Sequence, residues 1–299
     1  MKVGITGASG MLGHDLISVL EADCELFLMD ILETCADRGH PFACMDLADE
    51  EKVNPAIAGA GLDLVIHCAA YTDVDGAQEN SDEAYRSNAL ATARVANACR
   101  LARIPLIAVS TDYVFDGGKR SGYFEFDAPN PLGVYGRSKL WAEQLAFECG
   151  DKVAVVRTSW LFGVAGSNFV KTIVKAGSEK EKLTVVDDQR GSPTYTLDLA
   201  LALARLGRGL VCGRPYGGVW HVTNSGVCTW FEFAGAIAEM TGIGARIEPT
   251  TTKALGRPAP RPENSFLQNL RWRLEGFPPL RHWREALGAY LEQDVSLKK

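Results

Sequence analysis

Apolar residues along the chain follow two alternating patterns: short uninterrupted runs, and longer stretches in which they recur with helical spacing. The runs are typical of strands buried on both faces, and the stretches between them are typical of amphipathic helices. The strands predicted in the first half are Lys2–Thr6, Glu25–Met29, Phe42–Met45, Leu62–Ala69 and Pro105–Ser110. A helix should extend from the first strand to about Leu20, and Ser81 should cap another that extends to about Arg103.

This alternation predicts an α/β protein with a Rossmann-like, doubly wound parallel sheet, because strand–helix–strand units place helices on both faces of such a sheet. Ligands of these sheets bind outside the carboxyl ends of the strands. Residues 1–158 are predicted to form the dinucleotide-binding domain. Residues 159–299 are predicted to form mainly a smaller C-terminal substrate-binding lobe, with some segments returning to the Rossmann core.

The second half of the chain is less regular. Val153–Arg157 reads as another core strand, whereas Leu183–Val186 and Val219–Val222 fit strands of the smaller lobe or edges of the sheet. The predicted amphipathic helices are Gly166–Gly177 and Thr229–Thr241, and the predicted loops are Arg208–Gly218 and Ala254–Pro262.

Composition narrows the class of protein. A chain of 299 residues, 46% of them hydrophobic, can bury a substantial core, and a net charge of −6 argues against non-specific binding to nucleic acid. The eight cysteines show no C-x-x-C pairing, which favours buried, reduced thiols, and the five isolated histidines predict no catalytic metal. Neither a signal peptide nor an apolar run of membrane-spanning length is present in the sequence, so we expect a cytoplasmic protein that binds no membrane.

Three glycines after the first strand predict a phosphate-binding turn. Gly7 permits the tight turn from strand to helix, Gly10 lets a diphosphate approach the backbone, and Gly13 lets the helix pack closely. The phosphates would then lie on the free N–H groups at the start of the helix. Because a strand precedes the glycines and a helix follows them, the pattern predicts a dinucleotide cofactor.

Asp30, at the end of the second strand, completes the dinucleotide pattern. Its carboxylate would accept hydrogen bonds from an adenosine ribose diol and would repel a 2′-phosphate. Ile31 and Leu32 follow it, without an arginine that would offset this charge. NADH is therefore slightly favoured over NADPH, although Arg38 or Lys52 could reach the same corner.

Tyr135 and Lys139 are one helical turn apart, so both should project from one face of a helix that Asn130 caps and Pro131 begins. An ammonium about 4 Å from a phenolate attracts it by roughly 4 kcal/mol at an effective dielectric near 20. We therefore expect Lys139 to lower the pKa of Tyr135 and to prepare it for proton transfer to a carbonyl oxygen. The alternative is an ordinary exposed pair.

Thr111, at the end of the fifth strand, is the best third member of this group, because its hydroxyl can donate to a substrate carbonyl. The alternative is that Ser110 and Thr111 satisfy backbone groups where the strand becomes a loop.

Seven motifs occur in an order that resembles the extended short-chain dehydrogenases/reductases, and within them the dTDP-4-dehydrorhamnose reductase family. They span nearly the whole chain, at 6–13, 68–75, 110–117, 135–139, 157–163, 188–194 and 261–265. The resemblance implies reduction, by NADH or NADPH, of the C4 keto group of dTDP-4-dehydro-L-rhamnose to give dTDP-L-rhamnose. The expected partner is thus a small sugar nucleotide, and the family is compatible with a homodimer.

The resemblance also assigns roles to residues. Thr111, Tyr135 and Lys139 would be catalytic, and Asn88 would shape the active-site side of its helix. Substrate would contact Thr111, Asp112, Tyr113 and Trp160. Together with the glycine turn, the catalytic pair and Asp30, the positions that match cofactor contacts are Met11, Leu12, Asp46, Leu47, Ala69, Ala70 and Tyr71.

Two of the substrate assignments have plain alternatives. Trp160 follows a predicted core strand and could simply pack in the core. Arg257 and Arg261 lie on a predicted loop, where guanidinium groups suit a substrate diphosphate but are equally typical of a solvated surface.

Two other functions remain open for the sequence. A sugar-nucleotide epimerase or dehydratase uses the same scaffold, and many dehydratases carry an acidic residue beside the strand-end threonine, as Asp112 lies beside Thr111 here. The second open function is that of a non-catalytic regulatory subunit, because the beta subunit of methionine adenosyltransferase resembles this reductase family closely. The presence of Thr111, Tyr135 and Lys139 favours the enzyme.

Overall fold

The centre of the protein, in a computed structural model that describes residues 1–33 and 38–294, is a parallel sheet of seven strands. The strands are β1 (Lys2–Thr6), β2 (Glu25–Asp30), β3 (Phe42–Cys44), β4 (Leu64–His67), β5 (Leu106–Thr111), β6 (Val153–Thr158) and β11 (Gly218–His221). They lie in the order β11-β6-β5-β4-β1-β2-β3. The order of the strands reverses between β1 and β4: β2 and β3 lie on one side of this point, and β4, β5 and β6 lie on the other. In parallel sheets of this kind, a binding crevice opens at such a point. The predicted Rossmann-like fold is confirmed.

Helices cover both faces of the sheet. One face carries α1 (Met11–Leu20) and α8 (Thr196–Val211), whose Leu16 and Leu203 are fully buried in one core cluster. The other face carries α2 (Glu50–Gly59), α5 (Ala91–Ala102) and α6 (Val134–Cys149), which bury Val53, Val95 and Ala146 in a second cluster. The apolar strands between them are therefore covered on both sides, as their uninterrupted hydrophobic runs require.

The smaller lobe has its own core, built mainly from aromatic side chains that include Phe162, Tyr195, Phe233 and Tyr290. Its helices are α7 (Phe169–Glu179), α9 (Trp230–Thr241) and α12 (Trp283–Gln293). Its strands are β7 (Leu161–Phe162), β8 (Lys182–Val186), β9 (Arg190–Gly191), β10 (Thr194–Tyr195), β12 (Cys228–Thr229) and β13 (Arg246–Thr250). Short helices connect the larger elements: α3 (Val74–Glu79), α4 (Ser81–Tyr85), α10 (Thr252–Leu255) and α11 (Leu270–Leu274).

The predicted start of the helix that carries Tyr135 is wrong. Helix α6 begins at Val134 after Gly133, and Asn130 does not cap it. Instead, the Asn130 side chain donates to Asp116 over 2.9 Å, and its backbone N–H donates to the carbonyl of Val114. These two bonds hold Asn130 and Pro131 in the preceding loop, while the N–H of Val134 donates to Gln78.

The predicted loop Arg208–Gly218 is also wrong over its first part. Residues 196–211 form the single helix α8, which returns from the second half of the chain to pack beside α1. Strand β11 returns in the same way and pairs with β6 at the edge of the central sheet. The second predicted loop, Ala254–Pro262, begins inside the short helix α10.

Smaller differences concern other boundaries. Strand β4 ends at His67, two residues before the predicted end, so Cys68 and Ala69 leave the sheet. The helix predicted from Gly166 begins at Phe169, where the Asn168 side chain caps it. Seven of the eight cysteines are free thiols; Cys35 lies outside the described residues, and Cys44 and Cys212 are exposed rather than buried.

Candidate active site

The glycine turn after β1 is shaped by close backbone packing. Gly7 has a φ of +67°, and a Cβ at this position would lie 2.6 Å from the backbone nitrogen of Ala69. A Cβ on Gly13 would lie 2.3 Å from the carbonyl oxygen of Gly7. Side chains are therefore excluded at both positions, and helix α1 starts directly against the end of β1. Gly10 precedes the first turn of α1, whose free N–H groups suit a diphosphate.

A cavity of about 820 Å³ opens at the carboxyl ends of the central strands. Its volume lies in the range of ligand-binding clefts. All the residues predicted to bind the cofactor line it: Gly7, Gly10, Met11, Leu12, Gly13, Asp30, Asp46, Leu47, Ala69, Ala70, Tyr71, Tyr135 and Lys139. Thr111, Asp112, Tyr113 and Trp160 line it as well, so one cleft brings together the residues predicted for cofactor and for substrate.

The end of the cavity near β2 is acidic. Asp30 is buried, and its two carboxylate oxygens accept hydrogen bonds from the backbone N–H groups of Ser9 and Leu32, at 2.9 Å and 3.0 Å. The side chain is thus fixed beside the glycine turn, where a ribose diol would lie. Lys52 pairs instead with Asp49 over 3.2 Å, and neither Lys52 nor Arg38 lines the cavity.

Helix α6 and strand β5 bring the three predicted catalytic side chains to one wall of the cavity. The hydroxyl of Thr111 donates to Asp112 over 3.1 Å and lies close enough to Tyr135 to lower the pKa of its phenol. Lys139 is buried and donates from Nζ to the carbonyl oxygen of Val109 over 2.8 Å. A phenol, a second hydroxyl and an ammonium can together protonate a carbonyl oxygen and stabilise the charge that this leaves on the phenol.

The expected direction of the Tyr135 pKa is wrong for this structure. Burial is the largest cause of the shift and raises the pKa of Tyr135 to about 12, against the lowering effect of its bond with Thr111. Burial likewise lowers the pKa of Lys139 to about 8. The phenol is therefore protonated at neutral pH, which is the state that a proton donor requires.

Asn88 connects the two sides of the site through hydrogen bonds. It lies in a π-helical turn, Arg86–Leu90, between α4 and α5, and its Oδ1 accepts from the N–H of Tyr71 over 2.8 Å. Its amide nitrogen donates to the hydroxyl of Ser138, which in turn donates to the carbonyl of Tyr135. The loop after β4 and the first turn of α6 are thus joined through one buried side chain.

Asp112 and Tyr113 form the floor on the predicted substrate side. Burial raises the pKa of Asp112 to about 7, although the hydrogen bond from the Thr111 hydroxyl, at 3.1 Å, favours its ionised form. Tyr113 packs edge-on against Tyr135 with their ring centroids 5.8 Å apart. Because its carboxyl titrates near neutrality, Asp112 can either accept a hydrogen bond from a sugar hydroxyl or donate one to it at physiological pH.

Trp160 lies on the opposite wall and is not simply a core residue. It adopts a φ of +50°, which is unusual for a side chain of this size, and stacks on Trp230 with ring centroids 3.7 Å apart. Both indoles line the cavity. The sequence did not predict a role for Trp230, because this residue is the first of α9 and only tertiary packing brings it to Trp160.

Arg261 lies outside the lining of the cavity. Its guanidinium donates to both carboxylate oxygens of Asp75, at 3.0 Å and 2.9 Å, and lies near Tyr113. Arg257 donates to the same carboxylate from a more exposed position. The two arginines thus connect the first turn of α3 to the loop near residue 260 and hold the pKa of Asp75 down at about 2.

Two further observations concern metals and membranes. In the described part of the chain, no cluster of three or more His, Cys, Asp or Glu side chains could hold a metal ion. Across residues 1–33 and 38–294, every helix is too short or too polar to span a bilayer.

Comparison with known proteins gives concordant matches along the chain. The family profile described as "RmlD substrate binding domain" matches residues 1–296. A dTDP-4-dehydrorhamnose reductase of Streptomyces griseus is 39% identical over 95% of this chain and 90% of its own length. A probable dTDP-4,6-dihydroxy-2-methyloxan-3-one 4-ketoreductase of Streptomyces antibioticus is also 39% identical, over 96% of this chain and 93% of its own.

A solved structure matches as well. The dTDP-4-dehydrorhamnose reductase of Bacillus anthracis, crystallised in complex with NADP, superimposes with a TM-score of 0.90 at 37% identity. The match covers 98% of this chain and 99% of the other.

Proposed function

The chain belongs to the family of the RmlD substrate binding domain, and we infer that it is a dTDP-4-dehydrorhamnose reductase. It reduces the C4 keto group of dTDP-4-dehydro-L-rhamnose with a nicotinamide cofactor and releases dTDP-L-rhamnose. The observation that supports this most is that Thr111, Tyr135 and Lys139 line the same cavity as the glycine turn.

The residues of the cavity fit a nicotinamide dinucleotide. Its diphosphate would lie on the start of α1, its adenosine ribose at Asp30, and its nicotinamide ribose at Lys139. When bound in its reduced form, this cofactor supplies the hydride that adds to C4 of the sugar.

The protein's own groups supply the proton. Thr111 donates a hydrogen bond to the C4 oxygen and orients it, and Tyr135 gives its phenolic proton to the same oxygen as negative charge develops there. The resulting phenolate is stabilised by the Thr111 hydroxyl and by the Lys139 ammonium. The high pKa of Tyr135 keeps the donor protonated until the hydride arrives.

Consumption of cofactor tests the proposed function. With dTDP-4-dehydro-L-rhamnose and NADH or NADPH, we expect one cofactor to be oxidised for each sugar reduced, followed at the nicotinamide absorbance. An epimerase or dehydratase would convert a sugar nucleotide without net oxidation of added cofactor. Co-purification with a synthetase in the absence of sugar turnover would instead indicate a regulatory subunit.

A second keto sugar serves as the comparison substrate, since one relative is named for the reduction of a dTDP-4,6-dihydroxy-2-methyloxan-3-one. We expect kcat/KM for dTDP-4-dehydro-L-rhamnose to be the higher of the two. The reverse order would keep the reductase chemistry and change the substrate.

Asp30 should make NADH the better cofactor. A 2′-phosphate would lie against a buried carboxylate whose two oxygens are already fixed. We expect kcat/KM to be about tenfold higher with NADH, which corresponds to about 1.4 kcal/mol. Asp30→Asn keeps an acceptor oxygen and removes the charge, so it should narrow the difference. A wild-type preference for NADPH would contradict this assignment.

Arg261→Ala should raise KM for the sugar nucleotide about tenfold or more. The change breaks the ion pair with Asp75 and removes the cation near Tyr113, which lies on the predicted substrate side. Arg257→Ala is the matched control, because it removes a more exposed arginine from the same carboxylate. Steady-state kinetics of both variants check this, and unchanged kinetics in Arg261→Ala would remove the residue from the site.

The homodimer and the cytoplasmic location remain predictions.

A further inference from the structure

A buried ion pair lies directly behind the catalytic wall. Glu143 of α6 accepts from Arg157 of β6 through both oxygens, at 2.9 Å from Nε and 2.6 Å from Nη2. The two side chains are only 5% and 4% exposed. The hydroxyl of Ser110, which precedes Thr111, donates to the same carboxylate over 2.5 Å. Glu143 is thus fixed by three donors and has no access to bulk solvent.

Stability alone explains this pair poorly. Two charges taken out of water incur a desolvation penalty that often exceeds their mutual attraction, and apolar residues of similar volume are frequently as stable. His221 lies beside Arg157, with Nε2 at 3.4 Å from Nη1, and burial keeps the pKa of this imidazole well below its usual range. His221 therefore adds no charge, and Glu143 and Arg157 balance each other.

Glu143 is also one helical turn beyond Lys139 on α6, so both side chains project from the same face. A small cavity of about 10 Å³ lies between them, lined by Lys139, Glu143, Ser110 and Thr92 among others. This volume is near the smallest that holds one water, and four polar side chains surround it. The carboxylate and the ammonium can therefore be bridged by a single water.

The other groups around Lys139 do not supply a fixed negative charge. The Cys68 thiol, after β4, has its pKa raised to about 12 by burial, and His67 has its pKa lowered to about 3 by burial and by Lys139. Tyr135 on the same helix is protonated. Asp112 after β5, whose pKa burial raises to about 7, is ionised at pH 8, but it lies towards the substrate side and is not among the charges that shift the pKa of Lys139. Arg157 on β6 carries the same sign as Lys139.

We propose that Glu143 is a positioning residue for Lys139: its carboxylate, paired with Arg157 on one side and facing Lys139 across the small cavity, keeps the buried ammonium charged and directed at the cofactor. This inference rests on the proposed function, because it assumes that Lys139 holds a nicotinamide ribose. Burial pulls the pKa of Lys139 down to about 8, and the charge of Glu143 is the largest opposing influence. Without it, Lys139 would lose its proton at a lower pH.

Binding of NADH as a function of pH tests this directly, in the Tyr135→Phe background so that the phenol does not titrate. In that parent, affinity measured by nicotinamide fluorescence should fall as the pH rises through about 8, the pKa of Lys139. Adding Glu143→Gln should move the midpoint of this loss down by about 1 pH unit. Glu148→Gln is the matched control, because it removes the same charge from an exposed position on α6 and should leave the midpoint unchanged.

Folding is controlled separately. Glu143→Gln leaves Arg157 buried without its counter-ion, so a double variant, Glu143→Gln with Arg157→Met, removes both charges. Because this also removes a cation near Lys139, the double variant should show a downward shift that is smaller than that of Glu143→Gln. A midpoint that stays within about 0.3 pH unit of the parent in Glu143→Gln, and that does not fall in the double variant, would overturn the proposal.

Sugar reduction by the wild-type protein, measured beside this titration, separates the inference from the proposed function. A shifted midpoint with a wild-type protein that reduces no keto sugar would support the role of Glu143 and contradict the reductase. Sugar reduction by the wild type with an unshifted midpoint would do the opposite. Failure of the parent to bind either NADH or NADPH at any pH would overturn both.

Discussion

Replacement of Tyr135 by phenylalanine is expected to lower kcat for keto-sugar reduction by about 10³–10⁴-fold, the upper range for loss of a general acid. The change removes one oxygen from a buried ring that lines the cavity and leaves the glycine turn and Lys139 untouched. Cofactor affinity should therefore stay within about twofold of the wild type. Stopped-flow reduction and fluorescence titration measure the two quantities separately.

Tyr113→Phe is the matched control for this prediction. Tyr113 packs against Tyr135 and lines the same cavity, but it lies near Arg261. We expect this variant to change KM for the sugar nucleotide more than kcat. If Tyr135→Phe kept its turnover while Tyr113→Phe lost it, the proton donor would be Tyr113.

Lys139→Met is expected to lower kcat/KM by about 10²–10⁴-fold through both of its components, in contrast to Tyr135→Phe. The variant loses the donor to the cofactor ribose and the positive charge that stabilises the phenolate. The fold should survive, because an unbranched apolar side chain can occupy the same buried space and only the hydrogen bond from the ammonium to the carbonyl of Val109 is lost. Glu143 stays paired with Arg157.

Thermal unfolding and cofactor titration of Lys139→Met check these two parts. We expect an unchanged or higher melting temperature together with weakened NADH binding. A variant that unfolds early would show that Lys139 is needed for structure, and one that binds NADH with wild-type affinity would remove it from the cofactor site.

The strands and the first site residues could be predicted because local physics determines them. Continuous apolar runs such as residues 106–109, in the predicted strand Pro105–Ser110, have no polar face to expose, so they belong in a covered parallel sheet. Gly7 and Gly13 lie where any side chain would collide with backbone. Once the sheet is parallel, all these strand ends meet at one edge, which is why the predicted cofactor residues share one cavity.

Helix α8 was missed because its signals are not local. Residues 196–211 are apolar around much of the circumference, and the glycine-, proline- and arginine-rich stretch that starts at Arg208 suggested a loop. In the structure, a Cβ on Gly207 would lie 2.5 Å from a methyl carbon of Leu64, so this glycine allows close packing of the helix on the sheet. The role of this glycine in packing depends on Leu64, which is distant in the sequence, so the residues next to Gly207 could not indicate it.

The electrostatics of the site depend on burial in the same way. The spacing of Tyr135 and Lys139 gives their attraction, but the sequence does not give the desolvation that raises one pKa and lowers the other. Trp230 and the Glu143–Arg157 pair were missed for the same reason, since their partners are distant in the chain or on another element.

The central claim is that a hydride passes from the cofactor to C4 of the sugar while a side chain of the same cavity supplies the proton. Reduction of dTDP-4-dehydro-L-rhamnose with NADH deuterated at both C4 positions of the nicotinamide tests it most directly, read by NMR of the product. We predict one deuterium at C4 of the rhamnose and oxidised cofactor in equal amount. A product with protium at C4, or a changed sugar with the deuterated cofactor still reduced, would contradict it.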